Sequence, residues 1–436
     1  VPIAPQDMIA LRDTVRAGQS ALWVNPAYVP APDPVARADL DQARDDWAML
    51  ASLLARLFPE LEASGGRIAS DLIAAPAGAF GDYAGTLLIK GDHALPVAGS
   101  IKARGGLFEV FMCAVTQARA AGVLAPDAPL TDLANMRDFF AARTIAVGST
   151  GNLGLSVGIA ARALGYACVV HMSSDAKPWK VERLRKLGVE VVLHTADYTT
   201  AVAAARDATA DDPDSYFVDD ESSELLFRGY SAAAAELAAQ LDAMGIAIGP
   251  DRPLCLYLPC GIGGAPGGIA YGARAVFGAH AHSFFVEPQQ SASALCHMAF
   301  DAPSVHDLGL SNRTEADGMA VATLSPLVRA RMHDRLAGVC TVGDADMLRW
   351  VAAGHAHGPR FEPSATAGFA GPHHLMNSAA GAAFRTAHMP HVAPENIVHV
   401  VWATGGLFVP DTAHRDFLEA AAAMPAALDL PQEITP

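Results

Sequence analysis

The chain of 436 residues is 51% hydrophobic and 17% charged, with a formal net charge of −16. That composition describes a globular protein of two or three domains, not a disordered one. The acidic excess argues against nucleic acid or an anionic membrane as partner, because either would need basic patches.

Residues 1–65 read as a helical extension. Leu40, Ala43, Trp47, Leu50, Leu54 and Leu57 recur at three- and four-residue spacing, which lines one helix face, and Pro59 marks its end. The Pro-rich stretch 26–34 upstream is a connector, and nothing in this part carries visible chemistry. No basic-then-apolar leader opens the chain, and no apolar run approaches the roughly 18 residues of a membrane span. Cys113, Cys168, Cys255, Cys260, Cys296 and Cys340 are scattered without a C-x-x-C pair. They read as buried thiols of a reducing compartment, so the expected location is the cytoplasm.

Near residue 100 the chain runs Leu95-Pro96-Val97-Ala98-Gly99-Ser100-Ile101-Lys102-Ala103-Arg104-Gly105-Gly106. Lysine is scarce here: there are five, Lys90, Lys102, Lys177, Lys180 and Lys186, against 25 arginines. Placing one of the five in a glycine-flanked turn singles out Lys102. A neutral primary amine forms a Schiff base with a carbonyl, which a guanidinium does not.

From residue 143 strands and helices alternate. Strands are expected at Thr144–Val147, Cys168–Met172, Val189–Leu193 and Tyr216–Val218, with helices between them, the pattern of βαβ units on a parallel sheet. The basic stretch Lys177 to Lys186 reads as the solvated face of one of these helices. Further strands, Leu254–Leu258, Ser283–Val286 and Ile397–Trp402, belong to a second sheet that gathers segments from both sides of the first. The expected fold is therefore α/β, with two parallel-sheet-based domains and a helical N-terminal extension. The divisions are 1–65 for the extension, 66–142 with 221–436 for a large domain, and 143–220 for a small one.

Three loops share one layout, a hydrophobic strand running into glycines. Ser149-Thr150-Gly151-Asn152-Leu153-Gly154 follows the Thr144 strand, and successive backbone N–H groups at a helix start suit a carboxylate. Pro259-Cys260-Gly261-Ile262-Gly263-Gly264-Ala265-Pro266-Gly267-Gly268 has no Gly-Lys-Ser/Thr and no acidic closure of a dinucleotide fold. It suits a single phosphate monoester held by backbone N–H groups. Val400-Val401-Trp402-Ala403-Thr404-Gly405-Gly406 offers Thr404, a neutral hydroxyl for a ring nitrogen. A reactive lysine, a phosphate cup, a carboxylate loop and a neutral hydroxyl together specify pyridoxal 5'-phosphate.

These motifs, in this order, resemble the fold-type II pyridoxal-phosphate enzymes, the tryptophan synthase β-like group, over nearly the whole chain. The extension with Leu22-Trp23-Val24-Asn25-Pro26 and the Phe217-Val218-Asp219-Asp220-Glu221 segment is similar to the D-serine-deaminating branch. The resemblance implies that Lys102 holds the cofactor as a Schiff base and acts as the base at Cα. Asn152 would bond the cofactor's ring hydroxyl, Gly261, Ile262, Gly263 and Gly264 its phosphate, and Thr404 its pyridine nitrogen. Ser149, Thr150 and Gly151 would take the substrate carboxylate, and Asp219 and Asp220 would orient its hydroxyl. Glu287, ending a strand in Phe285-Val286-Glu287-Pro288, would sit beside a monovalent cation such as potassium. The group usually has a further glycine where this chain has Ala265, tolerable only at negative φ. The implied reaction is loss of water from D-serine, with D-threonine as a second substrate, giving a keto acid and ammonia. Alternatives on the same loops are an L-serine or L-threonine dehydratase, a β-replacing lyase, or a non-catalytic binder of the cofactor.

Overall fold

A computed structural model describes residues 5–149, 151–174, 176–195, 198–424 and 428–430. Two sheets organise these residues. The smaller is wholly parallel, in the order β6-β5-β4-β7, from β4 (Thr144–Gly148), β5 (Ala167–Ser173), β6 (Glu190–His194) and β7 (Ser215–Val218). All four lie where the alternating pattern puts them. The larger sheet has seven strands in the order β1-β10-β9-β8-β11-β3-β2. Its centre is parallel: β3 (Thr86–Lys90), β8 (Leu254–Pro259), β9 (Ala281–Pro288), β10 (Gly338–Val342) and β11 (Val398–Trp402).

Every residue of β8, β9, β10 and β11 is buried. Helices cover both faces of such a sheet, so its strands read as continuous apolar runs, not as alternation. β3 enters this sheet from before the small one and β11 from after it, side by side. Buried residues of both sheets, Leu88 and Leu256 with Ile145 and Val170, belong to one contiguous core.

The extension differs from a purely helical one. Its long helix, Pro34–Leu57, starts on the Asp33 cap, whose side chain accepts from Ala36 N–H, and stops before Pro59. Ahead of it, however, β1 (Leu22–Val24) is a strand pairing antiparallel with β10. The extension thus closes one edge of the large sheet, while β2 (Leu72–Ala74) pairs antiparallel with β3 and closes the other. Covered edges remove unpaired backbone groups that would otherwise recruit other chains.

Candidate active site

The C-terminal ends of β4, β8 and β11 converge on one cleft, the place where open parallel sheets hold ligands. Lys102, Ser149, Asn152, Asp220, Gly261 to Gly264, Glu362, Ser364 and Thr404 all line it. The turn that carries Lys102 is clamped from two sides. Ile101 N–H donates to the Thr404 carbonyl at 2.7 Å. Ser156 Oγ, on the Asn152–Leu164 helix, donates to the Lys102 carbonyl at 2.8 Å. The chain then enters a π-helical turn, Ala103–Leu107, a feature that recurs at functional sites.

Behind that turn Arg104 is 4% exposed and makes two 2.8 Å bonds to Asp92, which is fully buried. Trp402 Nε1–H donates to the same carboxylate at 2.7 Å. The Arg104 guanidinium holds the Asp92 carboxyl down at about 2 against the opposing effect of burial. Asp92 therefore stays ionised and fixes the Lys102 turn against β11.

The Lys102 ammonium lies 3.5 Å from Asp220 Oδ2 and over the Tyr230 ring at 5.8 Å. Asp219, next in sequence, faces the other way. It pairs with Arg206 at 3.0 Å and accepts from Glu221 N–H and Ser222 Oγ. Asp220 lines the cleft and Asp219 does not, so only one of the two acids reaches it.

On the glycine side, Gly263 sits at φ +105, and the Gly264–Phe277 helix begins directly after it. The first N–H groups of a helix have no partner inside it, and the helix dipole favours an anion there. Ala265 falls within that helix, outside the positive-φ region, so its methyl is accommodated. On the other side, Ser149 Oγ accepts from Gly151 N–H at 2.9 Å and from Gly154 N–H at 2.8 Å. Its hydroxyl shapes the loop from within. Thr150 lies outside the described residues.

Asn152 Nδ2 donates to Glu362 Oε1 at 2.7 Å. Glu362 is 5% exposed, and burial raises its carboxyl above the ordinary range. Nothing in Phe361-Glu362-Pro363 marks this residue in sequence. A second departure concerns Lys180, expected on a solvated helix face. It is 1% exposed and donates to Asp317 Oδ2 at 2.8 Å. The helix Pro178–Lys186 turns this one basic residue inward while Lys186 stays outside, paired with Glu182. Lys180 packs directly under Gly151, where a Cβ would meet its Cδ at 2.3 Å and its Nζ at 3.3 Å.

Glu287 is fully buried, and its oxygens accept from Ala294 N–H at 2.7 Å, Leu295 N–H at 3.0 Å and Ser293 Oγ at 3.2 Å. Burial pushes its carboxyl up to about 8, opposed by those donors. In this arrangement it caps the Ser293–Phe300 helix. No cluster of three metal-ligating side chains occurs among the described residues.

Comparison with known proteins gives three findings. The family described as pyridoxal-phosphate dependent enzyme matches residues 68–383. Proteins of Sinorhizobium medicae and Rhizobium etli, each named probable D-serine dehydratase, are 53% and 51% identical. Those matches cover 94% and 98% of this chain and 97% and 98% of theirs. Among solved structures, diaminopropionate ammonia lyase from Escherichia coli in complex with D-serine is 17% identical at a TM-score of 0.72, covering 93% of this chain and 98% of that one. The processed form of threonine deaminase isoform 2 from Solanum lycopersicum is 20% identical at a TM-score of 0.60, covering 93% of each.

Proposed function

The chain belongs to the pyridoxal-phosphate dependent enzyme family, and from that premise we propose that it is an ammonia-lyase converting D-serine to pyruvate and ammonia. The observation that carries the reading is the place of Lys102. Among the described residues it is the only lysine or arginine that lines the cleft, and it stands between a glycine cup and an asparagine-bearing loop. The residues present fit the cofactor. Asp220 Oδ1 and Ser364 Oγ are buried polar atoms without a hydrogen-bond partner among the described residues, at the wall of a cleft whose floor is glycine backbone. Buried polar atoms of this kind call for a polar ligand.

In this reading Lys102 Nζ holds the cofactor covalently. The Gly261–Gly264 backbone takes its phosphate, Asn152 its ring hydroxyl and Thr404 its ring nitrogen. Bound there, the cofactor supplies an electron sink for charge developing at the substrate Cα. Lys102 Nζ would be the base that takes the Cα proton. Asp220, 3.5 Å from that amine, is the side chain placed to hold the β-hydroxyl. The loop after β4 receives the carboxylate, and a D-threonine methyl would extend the same substrate pose. The proton taken by Lys102 and the hydroxyl held by Asp220 would then lie close together, so that the hydroxyl can leave as water.

The test is release of pyruvate from D-serine and L-serine, and of the corresponding keto acid from the threonines, by protein reconstituted with pyridoxal phosphate. The expected order puts D-serine first. Turnover of L-serine or L-threonine alone would move the assignment to the L-specific dehydratases. Cofactor uptake with no turnover of any amino acid would leave a binding protein.

A further inference from the structure

The cleft presents an electrostatic problem. Among the described residues its lining carries one cation, Lys102, and two carboxyl groups, Asp220 and Glu362. If it works as proposed, it must nevertheless admit a phosphate and a substrate carboxylate, while Lys102 is engaged in the chemistry. Unpaired like charges in a buried site are strongly disfavoured. A compensating cation has to come from behind the wall.

Lys180 is placed for this. Its stem lies against the α-carbon of Gly151, with the ammonium 3.3 Å from the position a Cβ would take there. Gly151 is at φ +147, a conformation in which a side chain is strained, so the loop leaves this space to the lysine. The ammonium is held by Asp317 at 2.8 Å, and Gly318 and Met319, the next two residues, line the cleft. One ion pair thus joins a helix of the small sheet to a turn against the large one, directly behind the carboxylate loop.

We propose that Lys180 is a positioning residue for the substrate carboxylate. It supplies buried positive charge beneath Gly151 and, through Asp317, fixes the loop's distance from the opposite wall. This rests on the reading of the cleft as an amino-acid site. It adds a determinant of which amines are accepted: those that carry a carboxylate.

The deciding comparison uses Lys180→Met, which keeps the stem against Gly151 and removes the charge, with two probes. D-Serine carries the carboxylate, and 2-aminoethanol is the same amine and hydroxyl without it. The variant should keep its cofactor content and visible absorption band. Its KM for D-serine should rise on the order of tenfold or more with kcat little changed, while the inhibition constant of 2-aminoethanol stays near that of the parent. Equal weakening of both probes would reduce Lys180 to a packing role and overturn the proposal, as would an unchanged KM. Asp317→Asn leaves the lysine in place, so it serves where the methionine variant does not fold. It should shift the D-serine KM by more than the inhibition constant of 2-aminoethanol, and loss of that discrimination counts against the proposal. Should the parent enzyme prefer L-serine, the D-serine reading falls, and the same comparison with L-serine still decides the role of Lys180.

Discussion

The two glycine loops that flank Lys102 reach similar ends by different means. After β8 the cup is almost wholly backbone. Gly263 adopts φ +105, the helix starts at Gly264, and the wall from Gly261 to Pro266 brings no charged side chain. After β4 the glycine loop is short and leans on side chains from elsewhere: Asn152 on Glu362, and Gly151 on Lys180, itself tied to Asp317. A phosphate monoester is well served by N–H groups and a helix dipole alone. A small carboxylate that must be oriented for chemistry needs direction, which distant side chains supply.

Lys102 stands between the loops, and removing its amine breaks the scheme most completely. Lys102→Arg should lose turnover and the visible band of the lysine imine together, because a guanidinium makes no imine. Both loops should survive, measurable as retained, non-covalent uptake of pyridoxal phosphate. Borohydride trapping in the parent protein should tag the peptide containing Lys102, and a tag on another lysine would displace the whole assignment.

The loops themselves should separate under matched substitutions. Gly263→Ala forces a methyl into a positive-φ position against Leu324 at 2.9 Å and Val328 at 3.0 Å. Strain of about 1–3 kcal/mol corresponds to a loss of roughly 5- to 150-fold, and it should fall on cofactor affinity, read by equilibrium dialysis. Gly151→Ala meets the buried Lys180 stem instead. Its main effect should be a D-serine KM roughly tenfold higher, with cofactor content maintained. If both variants lose cofactor alike, the division of labour between the loops is wrong.

What sequence shows of this site follows the same division. Lys102, Asn152, Gly261–Gly264 and Thr404 lie in contiguous motifs at strand ends, and contiguity is what a reader of sequence can see. Glu362 lies 210 residues from Asn152, and Asp317 lies 137 from Lys180. No local pattern announces contacts made only when separate segments fold together. Lys180 looked solvated because its neighbours Lys177, Arg183, Arg185 and Lys186 are basic, yet helical spacing turns one residue of such a run inward. The strands of the small sheet were legible by alternation with helices, whereas β1, three residues inside a helical segment, becomes a strand only through its partner β10. Asp219 and Asp220 were indistinguishable until the turn put them on opposite sides.

The smallest effect should come from Glu109, deeper on the side-chain-built flank. Its carboxyl accepts from Ser223 Oγ at 2.6 Å and Tyr216 Oη at 2.9 Å, joining the Phe108–Ala120 helix to β7 and to the start of the helix after Asp220. Burial pushes it up to about 7 from an ordinary 4.5, with those two hydroxyls opposing and Asp220 and Asp219 adding to the rise. Between those values the folded protein holds a proton that the unfolded chain has released, so stability falls as pH climbs through that window. Such a shift corresponds to at most about 3 kcal/mol, which in a chain this long should lower the Tm by a few degrees. Glu109→Gln keeps the volume and both hydroxyl partners but cannot titrate, so its Tm should stay flatter from pH 5 to 7. A decline above pH 7 should persist in the variant, since Glu287, raised to about 8, is untouched. Parallel Tm profiles for parent and variant below pH 7 would show that Glu109 is ionised throughout and that its hydroxyl donors outweigh its burial.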